Sequence, residues 1–289
     1  MHDTENYYGY GGYGGYGSDY DNGTPYLLDA PSWRPIGDIA VWLKHTLLLV
    51  GGRLPQWILA ILLMLVSIVV MAWGSFFAMA ALDIQTAAAQ HKWWAYVLSF
   101  AVLLFVQMLP LLFAAGFVSI AAGVSEERSF VFGRLFSGFG ERKWVLVRLY
   151  LFWFLAATAC LMAVANLKNP GESRIFWALG GIFPLFFLCN WMSLPLIMLQ
   201  GVPAAKAMWM SLTGSLKNIV QLSVFLLITL VLGYGAVTLL LFKTAKMTVE
   251  HNNLIFAVSL LLFYAVVFPL LPVISYVSYR NIWTTSPLK

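Results

Sequence analysis

Between Trp57 and Leu82 the chain runs for 26 residues without a charge, longer than the roughly 20 residues a helix needs to cross a bilayer. Five comparable runs follow at about 93–123, 144–167, 175–199, 219–242 and 254–279. Only Arg148 interrupts them, one turn into the third run, close enough to the boundary to snorkel back to the headgroups. In hydrocarbon every backbone polar group must be satisfied within the segment, so runs of this length and polarity become helices. Composition agrees: 61% of residues are hydrophobic and 10% charged, against about 45–50% and 25% in soluble domains. The expected fold is an all-α integral membrane protein with six transmembrane helices.

Three of the six runs share a feature. Pro110, Pro195 and Pro269 each precede two apolar residues deep in an uncharged stretch, at spacings of 85 and 74 residues. A proline inside a helix removes one backbone hydrogen bond and kinks the rod. Each of these runs is the second of a hairpin, and each hairpin follows a stretch of mixed polarity at helical spacing. The first stretch is 36–53, with Ile39, Trp42, Leu43, Leu47 and Val50 on one stripe. The second is 125–143, with Phe132, Leu135, Phe136 and Phe139. The third is 203–217, with Met208, Trp209, Leu212 and Leu216. Such stretches suit helices lying in the membrane interface. From Arg53, Arg142 and Lys217, which end them, the prolines lie 57, 53 and 52 residues on. That agreement predicts three repeats, each an amphipathic interfacial helix plus a transmembrane hairpin. Small residues, Gly74 and Ala78 in the first span and Ala115, Ser119 and Gly123 in the second, are expected to allow close helix packing.

An even number of spans puts both termini on one side. Twelve of the 17 Lys and Arg residues fall in the tails and amphipathic stretches, and five in the opposite turns. The positive-inside rule therefore predicts both termini and the amphipathic stretches in the cytoplasm. Residues 1–35 form a separate region, a Tyr/Gly-rich acidic tract without the aliphatic residues to build a core, and are expected to be a disordered cytoplasmic tail. The six-helix domain covers 36–285, and Arg280–Lys289 reads as a short C-terminal tail.

Chemistry is sparse. No Asp, Glu or His lies in mid-span, no HExxH or GxSxG motif occurs, and Cys160 and Cys189 offer no metal-binding spacing. Carboxylate-driven transport and intramembrane hydrolysis are disfavoured, and neither a cofactor, a metal nor a nucleic acid is expected. The polar candidates are Gln107, three residues before Pro110, and Asn190, five before Pro195. Either could bond the carbonyl freed by its proline or a polar ligand, and the bond to the carbonyl is favoured. The candidate cytoplasmic interface comprises Trp42, Leu135, Phe136, Phe139 and Trp209, read first as packing or lipid seating and second as a partner surface.

Leu135-Phe136-Ser137-Gly138-Phe139, Leu149-Tyr150-Leu151 and Lys206-Ala207-Met208-Trp209-Met210-Ser211 with Asn218 resemble a family of uncharacterised bacterial inner-membrane proteins. In that family a short LF-x-GF helix precedes the third of six spans, and an AL-x-x-S…N helix precedes the fifth. The resemblance covers roughly residues 36–285. It implies location and topology and carries over no catalytic residue. The expected function is non-enzymatic: scaffolding, assembly or regulation of envelope components, with the lipid bilayer and other envelope proteins as partners. The alternative is a facilitator or permease for a neutral or amphiphilic solute or lipid.

Overall fold

The computed structural model describes residues 26–83, 92–165, 184–228 and 270–285, with the single positions 86, 90 and 231. Pro269, Asn166, residues 1–25 of the Tyr/Gly tract and the remaining parts of the last four expected spans lie outside these. Every regular element among the described residues is helical, and one isolated bridge joins Leu27 to Thr284. In chain order they are α1 (Asp38–Gly51), α2 (Leu54–Ala81), α3 (Trp93–Glu126), a 3-10 helix (Phe132–Phe139) and α4 (Lys143–Ala165). Then come a helical stretch at 184–190, α5 (Ser193–Gln200), α6 (Ala204–Lys217), α7 (Ile219–Ile228) and α8 (270–283). Among the described residues three helices, in α2, α3 and α4, are long and apolar enough to cross a membrane, and a fourth span results if α6 and α7, bent by 87°, count as one.

Local chemistry sets the boundaries. Pro55 falls in the first turn of α2, where a missing N–H costs nothing. At the end of α5, Gly201 adopts φ +66° while its N–H and that of Val202 bond back to Ile197 and Leu196, a left-handed glycine cap. A side chain there would also strike the Arg142 guanidinium, 2.5 Å from where a Cβ would stand.

Pro110 divides outside from inside. In α3 the stretch before Pro110 is largely exposed, whereas from Leu112 to Gly123 all but Ser119 are buried. In α5 the residues from Pro195 to Met198 are buried. Residues 272–284, downstream of Pro269, are buried without exception. The C-terminal half of α3, with α5 and α8, therefore forms the centre of the core, against which Trp42, Trp57, Leu135, Leu146 and Phe225 pack, and α8 is buried along its length. A helix buried all round can carry polar groups only if each finds a partner, which explains the density of bonded Ser, Tyr, Arg and Asn along it. The sequence pattern ends this span at Tyr279 and makes Arg280 onward a tail. Instead the helix continues to 283, with Arg280, Asn281, Ile282 and Trp283 buried.

Two further expectations change. The stretch 125–143 does not form an interfacial α-helix: its ordered part is a 3-10 helix docked against α3. In a 3-10 helix residues three apart eclipse, so Phe132, Leu135 and Gly138 share a face. A Cβ on Gly138 would stand 2.1 Å from the Leu112 carbonyl oxygen, and one on Gly116 would stand 1.9 Å from that of Leu135. Backbone thus lies on backbone, and the small-residue stripe of α3 serves this helix, with Ser137 Oγ donating to Ser119 Oγ at 2.8 Å. Gly74 and Ala78 of α2, by contrast, are exposed, and a Cβ at Gly74 would meet nothing within 4 Å.

Candidate functional site

The C-terminal ends of the three core helices meet in a polar junction. Arg280 of α8, 7% exposed, pairs through its guanidinium with Glu126 at the end of α3. The same guanidinium donates to Tyr276 Oη at 3.1 Å, and Gln200 at the end of α5 donates to Tyr279 Oη at 2.7 Å. Glu126 keeps 40% of its side chain exposed, so the pair has one ion in the protein and one at its surface. Sequence reading missed these residues because Glu126 and Arg280 are 154 positions apart and neither sits in a motif. The available signal was a helix-like continuation, Ser275 to Trp283, too rich in aromatic residues for a solvated tail.

Beside the junction, residues 26–34 form a strap across the bundle end. Leu28 N–H donates to the Trp283 carbonyl and Ser32 N–H to that of Ile282, each at 2.9 Å. Lys217 Nζ reaches the Pro31 carbonyl at 2.8 Å. Asn218, in the turn between α6 and α7, accepts from Arg34 N–H at 2.8 Å and donates to Ser32 and Gly214 carbonyls at 3.0 and 3.1 Å. The tract expected to be a tail to residue 35 is thus pinned from Tyr26 on, because one asparagine amide supplies both the acceptor and the donors an extended backbone needs. Ser211 bridges the break before α5, accepting from Met192 N–H and donating to the Leu188 carbonyl at 2.9 and 2.8 Å. Both polar residues of the AL-x-x-S…N pattern therefore join segments distant in sequence.

The candidates read from the sequence separate into groups. Pro110 is partly buried in the interior of α3, and Pro195 is buried in the first turn of α5. A proline frees the carbonyl four residues earlier, here Trp191, and it accepts from Ser275 Oγ of α8 rather than from Asn190. Asn190 instead donates to Phe186 at 2.7 Å. Gln107 is exposed and accepts from Tyr150 Oη at 3.1 Å. Trp42 and Leu135 are fully buried, Trp42 edge-on to Phe225 at 5.6 Å. Phe136 and Phe139 flank Phe113 at 5.7 and 5.2 Å, Phe136 remaining 38% exposed. Trp209 is 66% exposed. These five aromatic and aliphatic positions do not form one surface: Trp42, Leu135 and Phe139 hold the bundle together, and Trp209 faces outward.

Two electrostatic features lie at the same end. Arg134 grips Glu127 at 2.6 and 2.7 Å, and that guanidinium holds the Glu127 carboxyl below the usual range. On α1, the face opposite Trp42 carries a shallow groove lined by Ala40, Leu43, Lys44, Leu47 and Leu48 and opening over Gly51 and Gly52. Among the described residues no three His, Cys, Asp or Glu side chains come together as a metal site.

No protein-family model matches the chain, and no curated protein or solved structure matches it either.

Proposed function

We propose that the protein is a non-enzymatic scaffold of the bacterial inner membrane, with six spans in three repeats and both termini in the cytoplasm, holding or assembling envelope components. This is the topology implied by the resemblance of the LF-x-GF and AL-x-x-S…N stretches. The observation that carries the reading is the strap. Residues 26–34 are fastened by the Lys217 and Asn218 side chains at the end of α6 and by backbone hydrogen bonds to α8, so the Tyr/Gly tract preceding Tyr26 starts from a fixed point at the bundle end. A pinned base is what a recruiting segment requires, since it raises the effective concentration of whatever the tract binds.

The repeat is supported by element order. An amphipathic helix is followed by a short turn and an apolar helix at α1–α2, at the 3-10 helix and α4, and at α6–α7, where the 87° bend suits a helix that leaves the interface to cross. Exposed Trp33, Trp144 and Trp209 fit an aromatic belt at the boundary on that side. Gln107 and Asn190, which a solute path would need, are engaged with Tyr150 and Phe186, which favours the scaffold over the facilitator.

The test is in-cell cross-linking of the full chain against a chain lacking residues 2–25, with a C-terminal reporter fusion to establish the side. Loss of specific envelope proteins from the cross-linked set, with membrane insertion unchanged, is expected. An identical set from both chains refutes the scaffold, and a periplasmic C-terminus refutes the topology.

A further inference from the structure

We propose that the outer face of α1 is a seat for an anionic phospholipid of the surrounding bilayer. The inference rests on the reading of α1 as an interfacial helix. The inner face of α1 is committed, with Ile39, Trp42, Thr46 and Leu49 buried. The outer face is not: Leu47 and Leu48 are 63% and 60% exposed and wall the groove. Among helices of this length such a double apolar character is explained when one face packs on protein and the other meets acyl chains.

Charge fixes the kind of lipid. Lys44 stands within the groove, exposed, and its ammonium meets no partner among the described residues. At the glycine end, Arg53 directs its guanidinium to the carbonyl of Arg128, so the backbone of Arg128 lies beside the turn that closes α1. Arg128 holds φ +54°, a left-handed conformation that costs an ordinary residue about 1 kcal/mol and is normally given to glycine. Its side chain is exposed and unpaired among the described residues. Lys44 therefore lines the apolar groove itself, and Arg53, the residue that follows its glycine end, brings a second cation beside the exposed Arg128. The acidic neighbours do not neutralise them: Glu127 is held by Arg134, and Asp38 lies in the first turn of α1, at the opposite end. A phosphate headgroup between Lys44 and the Arg53–Arg128 corner, with its acyl chain against Leu47 and Leu48, satisfies both charge and surface.

The glycines make the seat testable by shape as well as charge. A Cβ on Gly51 meets nothing within 4 Å, so Gly51→Leu fills the open end of the groove without disturbing the fold. Full-length protein, purified in a nonionic detergent and mixed with equal amounts of phosphatidylglycerol and phosphatidylcholine, is examined by native mass spectrometry. Wild type is expected to retain phosphatidylglycerol preferentially. Each cation contributes about fivefold near a membrane surface, so Lys44→Gln with Arg128→Asn lowers the preference at least tenfold, asparagine being chosen because it accepts the left-handed backbone. Gly51→Leu lowers retention while leaving the charges intact. Equal retention of both lipids by wild type, or an unchanged preference in both variants, overturns the proposal. A thiol placed at Leu47, with both native cysteines replaced, separates the two levels. In vesicles it is shielded from an impermeant reagent if α1 lies in the interface, whatever lipid is preferred. Full aqueous reactivity overturns the interfacial reading and the lipid seat with it.

Discussion

Replacing Gly138 by alanine adds one methyl group where the 3-10 helix lies backbone on backbone against α3. The new carbon would stand 2.1 Å from the Leu112 carbonyl oxygen and 3.0 Å from the Leu112 Cα. Ordinary contact begins near 3.4 Å, so the 3-10 helix must retreat from α3 by about 1.3 Å. Neither side has a flexible group to yield, because the obstacle is backbone. Overpacking of this kind costs about 1–3 kcal/mol. The retreat also loosens the edge-to-face contacts of Phe113 with Phe136 and Phe139, each worth about 0.5–1.5 kcal/mol, and the Ser137–Ser119 hydrogen bond, worth about 1 kcal/mol. A loss of roughly 2–5 kcal/mol follows, which lowers the melting midpoint by on the order of 10 °C. Thermal aggregation of detergent-solubilised protein, followed by size-exclusion chromatography, reads it directly. Gly133→Ala is the control, since a Cβ there meets nothing within 4 Å, and it should melt with wild type. Gly116→Ala should match Gly138→Ala, and the double variant should fall short of the sum because both press on the same contact. A Gly138→Ala protein melting with the Gly133→Ala control would refute the docking of the LF-x-GF helix onto α3.

Glu126→Ala leaves the buried Arg280 without its counter-ion. The half-open position of Glu126 admits water, so the cost is about 2–3 kcal/mol, below the range for a fully buried pair, and Arg280→Met in the same chain should restore most of it in a thermal double-mutant cycle. Asn218→Ala removes three hydrogen bonds, about 1 kcal/mol each, and frees the strap. Chymotryptic cleavage at Leu28 and Trp33 should accelerate severalfold, and unchanged cleavage would show that the strap is held by other means. Glu127 has a folded pKa below its unfolded value, so the stability it contributes is present above the unfolded carboxylate pKa and is lost as pH falls through the depressed folded one. The melting difference between wild type and Glu127→Gln should therefore be largest near neutrality, modest because the carboxylate is 45% exposed, and vanish in acid.

Much of the helical outline was legible from charge-free runs and turn residues, because those signals are local. The three prolines were legible as markers but not in their meaning. Pro110 stands where α3 passes from an exposed to a buried half, whereas Pro195 lies in a segment buried on both sides of it, and burial depends on neighbours the sequence does not name. Gln107 and Asn190 looked suited to the freed carbonyls because they are close in sequence. The carbonyl of Trp191 is instead met by Ser275, 84 positions away. Gly138 was visible within its motif, but its reason, the reciprocal approach to Gly116, belongs to a pair. Arg280 shows the same limit from the other direction: a charge near the chain end reads as solvated until Glu126 is brought beside it.

The strap has a consequence for how the protein is made. Ser32 is synthesised 250 residues before the Ile282 carbonyl that receives it, an interval of about 12–50 s at typical rates of chain elongation. During that time α1 to α7 are made, while α8, buried at the centre of the described helices, comes last. The strap therefore cannot close before α8 is made, and an amino acid change in α8 acts on helices synthesised well before it.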